Sequence, residues 1–180
     1  MLHLRTLFLS VTLMCGAPAL ADNAPNPPVP SGGAHFVAPP YTEQKAVFDF
    51  YFDDPQKIGS ALQWVRALRK PLIEAPYDYL PEFIDIKVVM HGTEIVSLAR
   101  KNYPKYRDAV ERMRYFATNG VEFRVCALAL EEYGYRPEDL QDFVKIVPSA
   151  ITDIAHWQIK GYALITPQVL EKKFSIDDIR

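Results

Sequence analysis

From residue 45 onward, short apolar runs alternate with longer segments in which apolar residues recur every three or four positions. The short runs predict strands, and they lie at 45–52, 83–90, 121–126, 145–147 and 162–165. The segments between them predict helices. Strands that alternate with helices are typical of a parallel sheet covered by helices on both faces, so the pattern predicts an α/β fold.

The helices predicted in the first half of this region have recognisable ends. The first has four apolar residues at helical spacing, namely Ile58, Leu62, Val65 and Leu68. Asp54 and Pro55 are its expected cap and first-turn proline, and Pro71 is expected to end it. A short helix is expected over 95–101. A longer one has an apolar face that comprises Tyr106, Val110, Met113 and Ala117, and an Asn-Gly pair at 119–120 is expected to close it.

The second half continues the pattern after the third strand. A short helix is expected up to Tyr133, before Gly134, and Pro137 predicts the start of another over 138–143. The next helix has a stripe that we expect to be buried, namely Ile151, Ile154, Ala155 and Ile159. The last residues combine charges with Val169, Leu170 and Phe174, which predicts a terminal helix that docks on the domain or on a neighbour.

Residue parity separates charged from apolar side chains in the first three predicted strands, because successive strand residues point to opposite faces. One parity is rich in polar groups: Lys45, Val47, Asp49, Tyr51, then Asp85, Lys87, Val89, His91, then Glu122, Arg124, Cys126. The opposite parity is almost wholly apolar. Both faces of a parallel sheet are normally covered, so the charged face needs partners on adjacent strands, a polar cavity or a subunit contact.

The chain divides into four predicted regions. Residues 1–21 have a basic start, an apolar run and small residues before Ala21, which is typical of a secretory signal cleaved after Ala21. Cys15 follows Met14, a poor fit to a lipidation site, so we expect it to leave with the signal. A Pro-rich linker at 22–42, a domain at 43–166 and a tail at 167–180 complete the chain, and we expect a periplasmic protein with no membrane association after cleavage.

Composition narrows the function classes. The 180 residues are 49% hydrophobic, enough for the core of one domain, and the net charge of −2 gives no indication of nucleic-acid binding. No phosphate-binding glycine loop, zinc-protease motif or serine-hydrolase elbow occurs. Asp53 and Asp54 beside Pro55 fit capping better than metal binding, because no further ligand recurs at suitable spacing. We therefore expect no metal and no cofactor.

Cys126 is the cysteine that remains after signal cleavage, so it cannot form an internal disulfide. It closes a strand and opens a predicted helix, whose positive end stabilises a thiolate. It also shares the polar parity and lies at a strand's carboxyl end, where open α/β sheets bind ligands. A small buried residue that fills a gap is the alternative interpretation.

His91 is the second candidate site residue, because it ends the neighbouring polar parity and could accept a proton from the thiol. Its alternative role is to form the turn in the sequence HGTE and cap the next helix. Ser149, after Pro148, could add a hydroxyl to the same pocket, but an N-cap role fits its position better. Catalytic residues are therefore expected at Cys126 and His91.

Three blocks of the sequence resemble the DsrE/DsrF-like sulfur-relay family, in its exported branch. They are KVVMHGTEIVSLARKNYPKY, GVEFRVCALALEEYGY and VPSAITDIAHWQIKGYALI. The resemblance implies a three-layer α/β/α domain with a five-stranded parallel sheet, and homo-oligomers such as trimers or hexamers. Cys126 matches the family's cysteine at the end of the third strand, which implies that it can carry a persulfide sulfur. The resemblance assigns no catalytic role to His91.

Two functions follow as hypotheses. In the first, Cys126 takes sulfur from a sulfane donor and passes it to an acceptor protein or small thiol, as a sulfur carrier or persulfide sulfurtransferase. In the second, the domain is a non-catalytic oligomeric binding or assembly module with an inert cysteine. A thiol redox protein fits less well, because no resolving cysteine is available.

Overall fold

Five parallel strands form the centre of the molecule in a computed structural model that describes residues 32–180. The strands are β1 (Gln44–Phe50), β2 (Ile84–Met90), β3 (Glu122–Cys126), β4 (Val144–Val147) and β5 (Ala163–Ile165). Their order in the sheet is β4-β3-β2-β1-β5, and every neighbouring pair is parallel. The predicted α/β fold with a five-stranded parallel sheet is therefore confirmed.

The helices cover both faces of this sheet. They are α1 (Ile58–Ile73), α2 (Tyr103–Thr118), α3 (Ala127–Glu132) and α4 (Ala150–Ile159). The terminal helix α5 (Ile176–Ile179) has no buried residue. From β1 to β4 the chain moves across the sheet in one direction, and from β4 to β5 it returns to the far side of β1. Because such crossovers are right-handed, α1, α2 and α3 lie on one face and α4 lies on the other.

Two of the predicted helices form short 3₁₀ segments instead of α-helices. Residues 95–101 fold as two short 3₁₀ segments, Thr93–Leu98 and Arg100–Asn102. The segment after Pro137 forms only the 3₁₀ turn Pro137–Asp139. In both regions the backbone is held by longer-range contacts, including an isolated bridge between Ala99 and Leu140, so tertiary pairing replaces the helical ladder.

Pro71 does not end α1, which continues to Ile73. A proline in the last helical turn removes one backbone hydrogen bond. The added turn buries Leu72 in the core, and burial of a leucine side chain stabilises by about 1.5–3 kcal/mol, which offsets the lost bond. By contrast, α2 ends as predicted, with Gly120 at φ +91°, a conformation that glycine adopts without strain.

The face under α1 and α2 contains the hydrophobic core. Phe48, Phe50 and Phe123 are fully buried there. The helices contribute further fully buried residues, namely Ile58, Leu62, Val65, Val110 and Met113. The apolar strand parity and the apolar helix faces therefore meet on one side of the sheet, as the period-2 and period-3.6 patterns predicted.

The predicted buried stripe of α4 is confirmed at Ile154 but is wrong at its other three positions, because Ile151, Ala155 and Ile159 are exposed. Ile151 and Ile159 are 68% and 87% exposed, whereas Asp153 and Ile154 are buried. The reason is the charged sheet face beneath the helix, because Asp153 reaches Arg124 and so turns the apolar stripe outward. The helix thus packs on the sheet through an acidic residue and an aromatic one, Trp157.

Within residues 32–180, the segments before β1 and after β5 are mostly exposed. The predicted signal, its cleavage site and Cys15 lie outside the described residues. Residues 32–42 of the predicted linker have no regular secondary structure, and the Tyr77 hydroxyl donates a hydrogen bond to the Pro39 carbonyl at 2.7 Å. The predicted helix around Leu170 and Phe174 is absent from this part of the chain, where both side chains are exposed. None of the helices within residues 32–180 is long and apolar enough to cross a membrane.

Candidate functional site

Cys126 is the last residue of β3 and immediately precedes α3. Its partner in the sheet is Val147 of β4, and the residue is 6% exposed. It is a free thiol, and its sulfur accepts or donates no hydrogen bond to another residue within 32–180. The side chain therefore combines the burial of a packing residue with the strand-end position of a ligand-binding one.

His91 lies beside Cys126 by strand register. Met90, the last residue of β2, pairs with Val125 of β3. His91 directly follows Met90, and Cys126 directly follows Val125. They follow the same parity, so both extend from the charged face. The structure thus brings the two predicted site residues to neighbouring positions at the carboxyl end of the sheet.

The imidazole of His91 is held by residues of β1 and the residue that follows it. Its Nε2 lies 2.7 Å from Oδ1 of Asp49, and its ring stacks on Tyr51 with centroids 4.8 Å apart and planes 23° apart. Both partners were on the charged parity predicted from the sequence. His91 is therefore a fixed ring, and it is not a cap of a following helix.

The segment after His91 is hydrogen-bonded to the segment after β1, which joins the carboxyl ends of β1 and β2. The amide of Thr93 donates to the Phe52 carbonyl at 2.8 Å, and the Thr93 hydroxyl donates to the same oxygen at 2.9 Å. Gly92 lies so close to the backbone of Phe52 that a Cβ at this position would be 2.4 Å from the Phe52 nitrogen. Any side chain at Gly92 would push the two strand ends apart, so the glycine is required by close approach.

Glu94 is a fully buried carboxylate behind this turn, and the sequence analysis did not identify it. Its Oε1 accepts a hydrogen bond from the Gly92 amide at 2.8 Å, and its Oε2 accepts one from the Phe52 amide at 3.0 Å. Burial raises the pKa of Glu94 above its ordinary value, although the amide bonds and the nearby His91 act in the opposite direction. The carboxylate thus holds the turn beside the candidate site.

Aromatic side chains border the site. Tyr51 is 69% exposed and forms the outer surface of the His91 stack. Tyr133, at the end of α3, has its pKa raised by burial and by the negative charges of Glu132 and Glu94. The exposed ring of Tyr51 therefore covers one face of His91 on the solvent side.

The charges further along the same sheet face are paired with one another. Lys87 Nζ lies 2.8 Å from Asp85 and 2.6 Å from Glu122. Arg124 binds Asp153 with two nitrogens, at 2.6 and 2.8 Å. Of the three explanations that the sequence left open, partners on adjacent strands and on α4 account for these charges, so this network is structural.

Glu122 is the shared acceptor of this network. Burial acts to raise its pKa, but hydrogen bonds from Lys145 and Lys87 outweigh burial and lower the pKa to about 2. Its carboxylate is ionised under all ordinary conditions. Glu122 is therefore a fixed negative charge at the centre of this network.

The remaining sequence candidates have structural roles. Asp54 Oδ1 accepts a hydrogen bond from the Gln56 amide at 2.8 Å, so its predicted capping role is confirmed. Asp53 pairs with Lys57 at 2.6 Å on the surface. Ser149 is the N-cap of α4 by position, but its side chain makes no capping hydrogen bond. Across residues 32–180, no cluster of three or more His, Cys, Asp or Glu side chains could hold a metal ion.

Comparison with known proteins agrees with this architecture. A sequence model described as the DsrE/DsrF-like family matches residues 45–167. The solved structure of a protein of unknown function, MTH1491 from Methanobacterium thermoautotrophicum, superposes with a TM-score of 0.55 and 25% identity. That match covers 69% of this chain and 99% of the other one. No curated protein matches the chain.

Proposed function

The chain belongs to the DsrE/DsrF-like family, and from that membership we propose that it is a periplasmic sulfur carrier that works through the thiol of Cys126. The observation that supports this most is the position of Cys126. It is the sole cysteine of residues 32–180, and it ends β3 beside His91. A thiol at the carboxyl end of a parallel strand faces the edge where open α/β sheets bind their ligands.

The chemistry needs no metal and no organic cofactor. The Cys126 thiolate attacks the outer sulfur of a persulfide or polysulfide donor, and the bond between the two donor sulfurs breaks. The donor leaves as a thiolate, and Cys126 holds the transferred sulfur as a persulfide. An acceptor thiolate then attacks that outer sulfur and releases the Cys126 thiolate, so each half-reaction makes one S–S bond and breaks one.

The loading step can be tested by intact mass. The purified chain is incubated with inorganic polysulfide, desalted and weighed, and peptide mapping separates Cys126 from Cys15. We expect Cys126 to gain the mass of one sulfur atom and Cys126→Ser to gain none. A native wild-type chain that gains no sulfur at Cys126 would contradict the proposal.

A second function, an oligomeric assembly module with an inert Cys126, is favoured by a different observation. The outward face of α4 exposes Ile151 and Ile159, and the tail exposes Leu170 and Phe174. Exposed apolar groups of this size are typical of interaction sites. The 6% exposure of Cys126 also fits a packing role.

We propose that the chain forms a homo-oligomer, a trimer or hexamer, whether or not the thiol is active. Light scattering at micromolar concentration should give a mass several times that of one chain, and Ile159→Ser should reduce it. Tyr115→Ser, which also changes an exposed large side chain but on α2, is the control. A monomeric wild type would rule out assembly through α4.

Export is part of the same proposal. We expect the protein recovered from the periplasm to begin at Asp22, after cleavage behind Ala21. N-terminal sequencing of that material tests the expectation, and a retained, lipid-modified Cys15 would contradict it.

A further inference from the structure

We propose that Asp49 is a positioning residue that fixes His91 in the tautomer able to take the proton from the Cys126 thiol. This inference rests on the proposed sulfur-carrier function. It adds a third residue to the site, on a third strand. His91 would be the catalytic base, and Asp49 would act only through it.

The three residues follow one another across adjacent strands. Asp49 of β1 pairs with Val89 of β2, two residues before His91. His91 is in turn the next residue after Met90, whose partner Val125 directly precedes Cys126. All three side chains have the same parity, so they extend from one face at the carboxyl end of β1, β2 and β3.

The contact with Asp49 determines which ring nitrogen carries the proton. An ionised carboxylate only accepts hydrogen bonds, so the 2.7 Å contact requires a proton on Nε2 of His91. In the neutral ring Nδ1 then has a free lone pair. No residue within 32–180 makes a hydrogen bond to that nitrogen, which leaves it available to a thiol or to a donor molecule.

The ring is also fixed in orientation. Tyr51 stacks on one side of it, and the His91 amide donates to the Phe50 carbonyl at 3.0 Å, which fixes the backbone at the strand end. The side chains of His91 and Asp49 are 16% and 23% exposed, so water competes weakly for their contact. A ring held by a carboxylate, a stack and a backbone bond has lost most of its conformational freedom before any donor arrives.

The proton that leaves the thiol is passed first to His91 and then to the donor, so no other proton acceptor is needed. The Cys126 S–H proton moves to Nδ1 of His91, which makes the ring an imidazolium and the thiol a thiolate. The negative charge of Asp49 stabilises that imidazolium. When the donor S–S bond breaks, the leaving thiolate takes the proton from Nδ1, and the ring returns to its neutral tautomer.

Three titratable groups lie close to His91, namely Asp49, Tyr51 and the buried Glu94. If the contact between Asp49 and His91 were purely structural, it would only join β1 to β2, and its loss would affect stability alone. A positioning role of Asp49 requires in addition that the reactivity of the Cys126 thiol depends on the Asp49 carboxylate.

The test compares Asp49→Asn with Asp53→Asn, a matched change at an exposed aspartate four residues later that contacts Lys57 and not His91. The rate of Cys126 alkylation by iodoacetamide is measured from pH 5 to 9, with peptide mapping. We expect Asp49→Asn to slow alkylation at neutral pH about tenfold and to shift the pH profile, because an aligned base contributes about 10²–10⁴-fold to proton transfer. Asp53→Asn should match the wild type.

A second measurement uses only the wild-type protein, so it does not depend on whether a variant folds. Nitrogen NMR of the ¹⁵N-histidine-labelled wild type should show His91 protonated on Nε2 in its neutral form. A neutral His91 protonated on Nδ1, equal rates for Asp49→Asn and wild type, or a native Cys126 that resists iodoacetamide would each overturn the inference. If alkylation depends on Asp49 but polysulfide adds no sulfur, the sulfur-carrier proposal fails while the Asp49–His91–Cys126 coupling stands.

Discussion

On the face of the sheet under α1 and α2, Phe48 and Phe123 are fully buried among apolar side chains. On the opposite face of the same strands, Lys87 and Arg124 are held by carboxylates on neighbouring strands and on α4. The first face is stabilised mainly by removal of apolar surface from water, and the second depends on charges that must all be paired. The comparison shows where function can develop, because only the charged face continues at its carboxyl end into Asp49, His91 and Cys126.

The largest effect is expected from the apolar face. Phe48→Ala removes a fully buried ring from β1, the strand between β2 and β5. It should lower the free energy of unfolding by about 3–5 kcal/mol. Urea unfolding followed by circular dichroism measures this. Tyr115→Ala, at a 59% exposed position, is the control and should change stability by about 0.5 kcal/mol or less. Equal effects of the two substitutions would contradict the assignment of the core.

A smaller effect is expected from the charged face. Lys87→Met leaves Asp85 and Glu122 without their buried cation and should cost about 2–3 kcal/mol, somewhat below a fully buried pair because both carboxylates are partly exposed. Lys145→Met removes an exposed partner of the same Glu122 and should cost about 1 kcal/mol or less. If both lysine substitutions cost the same, burial is not what distinguishes these ion pairs.

The pH dependence of stability provides a finer comparison between two glutamates. The folded-state pKa of Glu122 is about 2, below the ordinary value of 4.5. Its contribution is therefore fully present above about pH 4.5 and is lost as the pH falls towards 2. The stability difference between wild type and Glu122→Gln should shrink over that interval. A constant difference in urea titrations would contradict the lowered pKa.

Glu94 should show the opposite sign. Burial raises its pKa in the folded protein, so its neutral form is favoured there, and stability is fully present below pH 4.5 and declines as the pH rises through the raised value. Wild type should thus lose stability relative to Glu94→Gln as the pH rises above 4.5. The same urea titrations measure this, and a parallel pH dependence for the two proteins would contradict it.

The strands and their two faces were predictable because alternation at period two is a local property of the sequence. The helix stripe of α4 was not, since Ile151 and Ile159 have the spacing of buried residues while Asp153 determines which side faces the charged strands. A helix of mixed apolar character is oriented by its partner surface, and that surface is made by residues distant in sequence.

The candidate site was partly predictable for the same reason. Parity and strand ends brought Cys126 and His91 together, and they also put Asp49 on the correct face. The contact between Asp49 and His91 required knowing that β1 and β2 are neighbours in this register. Glu94 gave no such signal, because a glutamate in a polar turn normally faces water. The one local indication was Gly92, which precedes it and permits the close approach of Phe52.

The central claim is that the thiol at the carboxyl end of the charged face accepts sulfur from a donor and then passes it to an acceptor. The most direct test loads the native chain with isotopically labelled polysulfide, removes the excess, and adds a small monothiol acceptor whose persulfide is trapped by alkylation. We predict one labelled sulfur on Cys126 before the acceptor is added, its transfer to the acceptor afterwards, and neither signal in Cys126→Ser. Label that never enters the folded chain, or that enters and does not leave for the acceptor, would contradict the account.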